Sequence, residues 1–312
     1  MLNRRLIRIK VFKTLYAFEN SGEDSPERAM GRLIESCEKT RDLYYFLLNV
    51  TGDLTRVASD RINAGLRKFH PTEEEANPSF RFVENGFSAV VNSDPVFGRI
   101  CQKKGLNWSE YDVLLKKIYA SVISSDYYKE YMSAPSTSLE ADCRLWSRIF
   151  EEEFEDNEMF ENMLEEKYID WVDEAAFVIN AIINDIPRIA AEGKVPEVKV
   201  FQKPDDQTFA RTLLEESING YAEYSSAVNA SSDNWDSDRV VSTDVTLIVM
   251  GIAEAVCFPT IPVKVTINEY VELSKFYSTP NSKSFVNGIL NRVIQDKLAS
   301  GEITKTGRGL QE

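Results

Sequence analysis

The chain has 312 residues, 43% of them hydrophobic, with 50 acidic against 36 basic side chains and a formal net charge of −14. That length holds one large or two ordinary domains, and the apolar share is that of a globular fold, which excludes a disordered chain. An acidic chain is a poor bulk attractor of nucleic acid or anionic membrane, so any nucleic-acid role has to rest on a local basic patch.

The first predicted element is a helix over 3–19. Arg4, Arg5, Arg8, Lys10 and Lys13 all come before its first acid, Glu19. Arg5, Arg8, Phe12 and Tyr16 recur at helical spacing and share a face. Basic charge interleaved with aromatic rings suits single-stranded RNA, where phosphates take the charge and unstacked bases take the rings. The same pattern also fits a basic helix docked on the acidic remainder of the chain, or one that is simply solvated. No long apolar core follows the basic start, so it does not read as a secretory signal. No run reaches the roughly 18 apolar residues that a membrane span needs.

Residues 25–68 read as one long helix or two, with Leu33, Ile34, Leu43, Phe46, Leu47, Val50 and Leu54 at periodic apolar positions. The stretch 70–87 reads as a loop with Pro71 and Pro78 as breakers. It begins with His70, the single histidine, which any Ser-His-Asp or Cys-His mechanism would have to use and which reads as an exposed loop residue. A helix over 108–133 is expected to be capped by Asn107 or Ser109. After a linker at 133–138 come helices at 139–155, 157–168 and 171–188. A second linker at 192–207 leads to helices at 207–229, 236–256, 266–277 and 281–299, with Thr266 or Asn268 as the cap of the third. The tail 301–312 is polar and expected to be flexible. Only 195–201 and part of 80–92 have strand character, so the fold class is all-α.

The chemistry-bearing patterns are few. The 4 cysteines are widely spaced with no CxxC, which argues against structural zinc and for a reducing, cytoplasmic setting. Glycine-rich phosphate loops are missing. The acidic run 150–161 places its carboxylates all round a helix, and no histidine completes a di-metal pattern. It reads as solvated helix faces, with a basic protein partner as another option. No catalytic residue, metal or cofactor is expected. Arg148 precedes Trp171 at nearly the spacing by which Arg211 precedes Trp235, a pattern that fits two related hairpins or chance. Asn287-Gly288, a turn signal, falls inside the helical period of the last helix. The expected reason is that Gly288 lets a neighbouring helix, the first, approach closely.

Four pieces in order resemble the NusB family of bacterial transcription antitermination factors. These are the arginine-rich first helix 3–19, the helix 209–218, the Trp–Arg–Asp helix 234–256 ending near Glu254, and the long terminal signature 262–293. The span from about 21 to 205 has no counterpart and looks like a helical insertion. The resemblance implies a NusB-like helical bundle made of 1–20 and 206–300, an insertion at 21–205, and the tail.

It also implies an RNA-binding protein that is not an enzyme. Such a protein pairs with the NusE ribosomal protein and binds boxA RNA of ribosomal RNA operons. It then joins NusA, NusG and RNA polymerase in a termination-resistant complex. Carried over position by position, Arg4, Arg5 and Arg8 match RNA-contacting arginines. Asn281, Ser282, Lys283, Phe285 and Asn287 match the turn and signature beside the RNA. Tyr16 and Asp244 match residues that hold NusE. The chain departs from the family pattern at Ile9, Val249 and Ser284. Two rivals stand beside this reading. One is a protein–protein scaffold that uses the acidic insertion and has lost RNA binding. The other is an RNA cytosine methyltransferase, which the lack of a Rossmann or catalytic Cys motif after residue 293 disfavours.

Overall fold

A computed structural model describes residues 1–22, 25–231 and 241–310. The fold is all-α: among the described residues there is no strand, only one isolated parallel bridge between Leu2 and Phe201. The chain forms two compact units, Met1 with Glu38–Val200, and Leu2–Cys37 with Phe201–Glu312.

The periodic stretch predicted over 25–68 breaks at Asn49 into α2 (Pro26–Leu48) and α3 (Val50–Leu66); α1 (Arg4–Asn20) and α2 up to Cys37 belong to the second unit, and the rest of α2 and α3 belong to the first. The predicted loop contains a single turn, α4 (Glu73–Ala76), with a Thr72/Glu75 capping box. Where strand character was expected, the chain makes α5 (Gly86–Ser93) and then α6 (Pro95–Lys104). Both carry start signals that outweigh a short β-branched run. Asn85 caps α5, and Asp94 accepts from Val96 N at 2.8 Å and Phe97 N at 3.1 Å with proline at the first turn. Gly105, at φ 65°, ends α6.

The predicted helix 108–133 is split at Ser125 into α7 (Asp112–Ser124) and α8 (Asp126–Ser133). Asn107 does not cap it; its side chain accepts from Ser109 N at 3.1 Å in a local turn. Helices α9 (Leu139–Glu153), α10 (Glu158–Lys167) and α11 (Asp170–Glu192) complete the unit. Its interior is ring on ring. Phe46 stacks on Trp108 at 4.5 Å and meets Trp171 at 5.5 Å. The indole N–H groups of Trp108 and Trp171 donate to the backbone carbonyls of Phe46 and Lys39. His70 is exposed, as its loop setting predicts.

In the second unit, Gly220 divides the predicted 207–229 helix into α12 (Pro204–Asn219) and α13 (Tyr221–Ser231). Then come α14 (Ser242–Cys257), α15 (Val263–Tyr277) and α16 (Ser282–Ala299). The start predicted for α14, and with it Trp235 of the suspected repeat, lies outside the described residues. Neither Thr266 nor Asn268 caps α15, which begins earlier, at Val263, with Pro262 at the N-cap. Helix α14 is buried on every face from Thr246 to Ala255, the pattern of a central core helix. It packs against α1, α12, α13, α15 and α16.

The described residues after α16, up to Leu310, pack back on the bundle. Ile303 is buried, and Lys305 Nζ donates to the carbonyls of Ala255 at 2.8 Å and Phe258 at 3.1 Å, at the end of α14. Thr306 N donates to Pro259 O at 3.0 Å, leading into a 3-10 turn at Gly307–Leu310.

The glycine argument moves to a different residue. Gly288 is exposed on α16, and that helix packs on α13, α14 and α15, while α1 packs on α12 and α14. The close-approach glycine is Gly251 of α14, where an added Cβ would lie 2.7 Å from Leu290 Cδ2 and 3.2 Å from Tyr270 Cδ2. Asn-Gly marks no turn here because the flanking apolar period of α16 decides the conformation.

Candidate nucleic-acid interface

Helix α1 begins at Asn3, whose side chain accepts from Leu6 N at 3.0 Å. From there its basic side chains reach acids on other helices of the same unit. Arg4 Nε lies 3.2 Å from Asp206 Oδ1, with its guanidinium 4.8 Å from the Phe209 ring centroid. Arg5 makes a two-pronged pair with Glu269, at 3.1 and 2.9 Å, and stays 54% exposed. Lys10 is buried and donates to Ser36 O at 2.8 Å.

Arg8 has a different role from the one expected. Its side chain is 4% exposed and its two nitrogens donate to Glu254 at 2.7 and 2.8 Å. Glu254 is fully buried and also accepts from Thr266 Oγ1 at 2.9 Å and Tyr270 Oη at 3.0 Å. Burial works against the charge on Arg8. The field and hydrogen bonds of Glu254 outweigh it and hold the guanidinium above its usual pKa. Burial, then Glu254, push the Tyr270 phenol well above its usual value. Arg8 therefore cannot meet a phosphate in this conformation; it pins α1 to α14 and α15.

The carboxyl-terminal residues divide the same way. Asn281, Lys283 and Asn287 are exposed, whereas Ser282 and Phe285 are buried. Phe285 contributes packing and presents no ring for stacking. Ser282 Oγ donates to Asp244 Oδ2 at 2.7 Å, so Asp244, expected at a partner surface, is instead 1% exposed beneath the start of α16. Its Oδ1 has no hydrogen-bond partner among the described residues. Tyr16 is half-buried and accepts from Ser242 Oγ at 3.3 Å.

What the fold brings together is a mixed-charge edge of α1, α15 and α16. The hydrogen bond from Lys275 chiefly holds the Glu272 carboxyl below its usual range, and Arg5 and Lys283 add to it. Sequence reasoning located Arg4, Arg5 and Lys283 but missed Asp206, Glu269, Glu272 and Lys275. The identity of an ion-pair partner more than 200 residues away in sequence is not readable from local pattern.

The fold and this edge define a class first: an all-α bundle whose leading basic helix is locked by a buried ion pair and exposes part of its charge. Residues 174–295 match the family model described as NusB family. The transcription antitermination protein NusB of Salinibacter ruber is 34% identical over 113 residues, 36% of this chain and 71% of that protein. The proteins of the same name from Chloroherpeton thalassium and Thermodesulfovibrio yellowstonii are 33% and 34% identical over 120 and 97 residues. These matches cover 38% and 31% of this chain, and 56% and 64% of the relatives. No solved structure matches. The chain belongs to the NusB family, as a member enlarged beyond the matched region. Asp244 and Asn281–Asn287 fall inside the family match, whereas Arg4, Arg5, Arg8 and Tyr16 lie before it.

Proposed function

We propose that this protein is an RNA-binding transcription antitermination factor. It pairs with the NusE ribosomal protein, binds boxA RNA of ribosomal RNA operons and acts with NusA, NusG and RNA polymerase. The observation that carries the reading is the set of exposed cations at one edge: Arg5 paired with Glu269, Lys275 paired with Glu272, and Lys283 in the first turn of α16. Half-buried Arg4 and exposed Arg5 and Lys283 neutralise phosphates, and Asn281 and Asn287 offer amides to base edges or sugars. Buried Arg8, Phe285, Ser282 and Asp244 fix the positions of those groups. Tyr16 offers its exposed portion to NusE.

In the free protein Asp206 and Glu269 already occupy Arg4 and Arg5. Phosphate must compete with them on a chain of net charge −14, so binding alone is weak and the basic partner strengthens it. The test is an anisotropy titration of boxA RNA at two salt concentrations, with and without NusE. Affinity rises with the partner and falls with salt. Glu269→Gln strengthens RNA binding a few-fold, since an exposed pair of this kind is worth about 0.2–1 kcal/mol. Equal affinity with and without NusE contradicts the reading. Unchanged binding in Arg4→Glu/Arg5→Glu supports a protein scaffold that does not use this edge for RNA.

A further inference from the structure

A second polar surface lies in the same unit, in a groove of about 630 Å³ lined by α15, α16 and the residues Lys305, Gly309 and Leu310. Its polar lining is Lys264 and Asn268 from α15, Asn287, Asn291 and Gln295 from α16, and Lys305. No carboxylate lines it among the described residues, in a chain that carries 50 acids. Lys264, Asn268 and Gln295 are exposed and have no partner among the described residues. Asn291 Nδ2 donates to the Asn287 carbonyl at 2.8 Å and to its Oδ1 at 3.1 Å. This leaves the Asn287 amide nitrogen and the Asn291 carboxamide oxygen for a ligand. Leu310, 69% exposed, adds an apolar surface to the groove.

Three of these side chains form one track with Lys283 of the mixed-charge edge. Lys283, Asn287, Asn291 and Gln295 recur every fourth residue and make a single ridge on α16. The ridge covers about 18 Å of helix, starting at the mixed-charge edge and running into the groove. Cations without acids attract a polyanion, and carboxamides supply the paired donor and acceptor that base edges require.

We propose that this groove is a second RNA subsite, which holds nucleotides of single-stranded RNA running on from those bound at the Arg5–Lys283 edge. The assignment rests on the RNA reading above. Lys264 meets phosphate, Lys305 contributes field from its place on the α14 carbonyls, and Asn268 and Gln295 contact bases or sugars.

The experiment uses the full chain with NusE and two RNA probes: boxA RNA, and boxA RNA lengthened by oligouridine at either end. One lengthened probe binds more tightly than boxA RNA. Lys264→Ala lowers its slope of log affinity against log salt by about 1 and leaves the slope for boxA RNA unchanged. Lys264→Glu/Gln295→Glu removes the gain from lengthening while circular dichroism shows an unaltered fold. No gain from either extension, or a gain that survives in the double variant, overturns the groove alone. Loss of the gain to polyglutamate but not to free oligouridine assigns the groove to an acidic peptide and also overturns it. Failure of all probes to bind overturns the RNA reading and the groove with it.

Discussion

At the middle of the first unit Phe46 lies against Trp108 and Trp171, and each indole needs one backbone carbonyl to be satisfied. At the middle of the second, Arg8 meets Glu254, and Glu254 needs Thr266 and Tyr270 as well. Rings bury large area, and each indole here makes a single hydrogen-bonding demand. A buried guanidinium–carboxylate pair is satisfied in one geometry and is costly to leave half-made. The difference teaches what each interior is for. One fills volume; the other fixes the rotation of α1 and so decides which arginines face outward.

The largest effect that would break this contrast is at Glu254. Glu254→Ala should cost about 3–5 kcal/mol, read from urea denaturation followed by far-UV circular dichroism, because it strands a buried charge. Arg8→Met/Glu254→Leu should recover most of that loss while loosening RNA binding at the edge. A single-variant loss as small as that of a surface pair would show that the cluster does not hold the unit together. An intermediate effect is expected at Gly251. Gly251→Val should cost about 1–3 kcal/mol by overpacking, since Leu290 and Tyr270 are fully buried and have little room to move. The smallest sharpens the outer boundary of the same core. Gly288→Ala on exposed α16 should raise stability by up to about 1 kcal/mol, through helix propensity alone. A loss there in thermal melts would mean that a neighbour presses on that position.

The helical class and the position of α1 were legible because a period over many residues outweighs local noise. Helices α5 and α6 were not, because Val90 and Val91 imitate a strand while the deciding signals, Asn85 and Asp94-Pro95, are single caps. The candidate site was legible as a set of charges and opaque as an arrangement. Arg4, Arg5 and Arg8 look equivalent in sequence, yet the acids that separate them into exposed and buried roles arrive from Asp206, Glu254 and Glu269. Ser282 and Lys283 are neighbours with opposite exposure because α16 starts between a buried carboxylate and solvent. Gly288 drew attention through its turn signal, whereas Gly251, hidden in an apolar run, carries the steric requirement.

The last described residues give the bundle a boundary that helix endings do not mark. Lys305 sits on the carbonyls that α14 leaves open at its end, and burial lowers its pKa against a partial offset from Glu254. Gly309 passes so close to Pro259 O that a side-chain carbon would come within 1.9 Å. A chain cut after Ala299 would keep every long helix and still lose the clasp over its central one. For anyone trimming this protein to a minimal folded unit, the safe cut lies beyond the 3-10 turn and not at the end of α16.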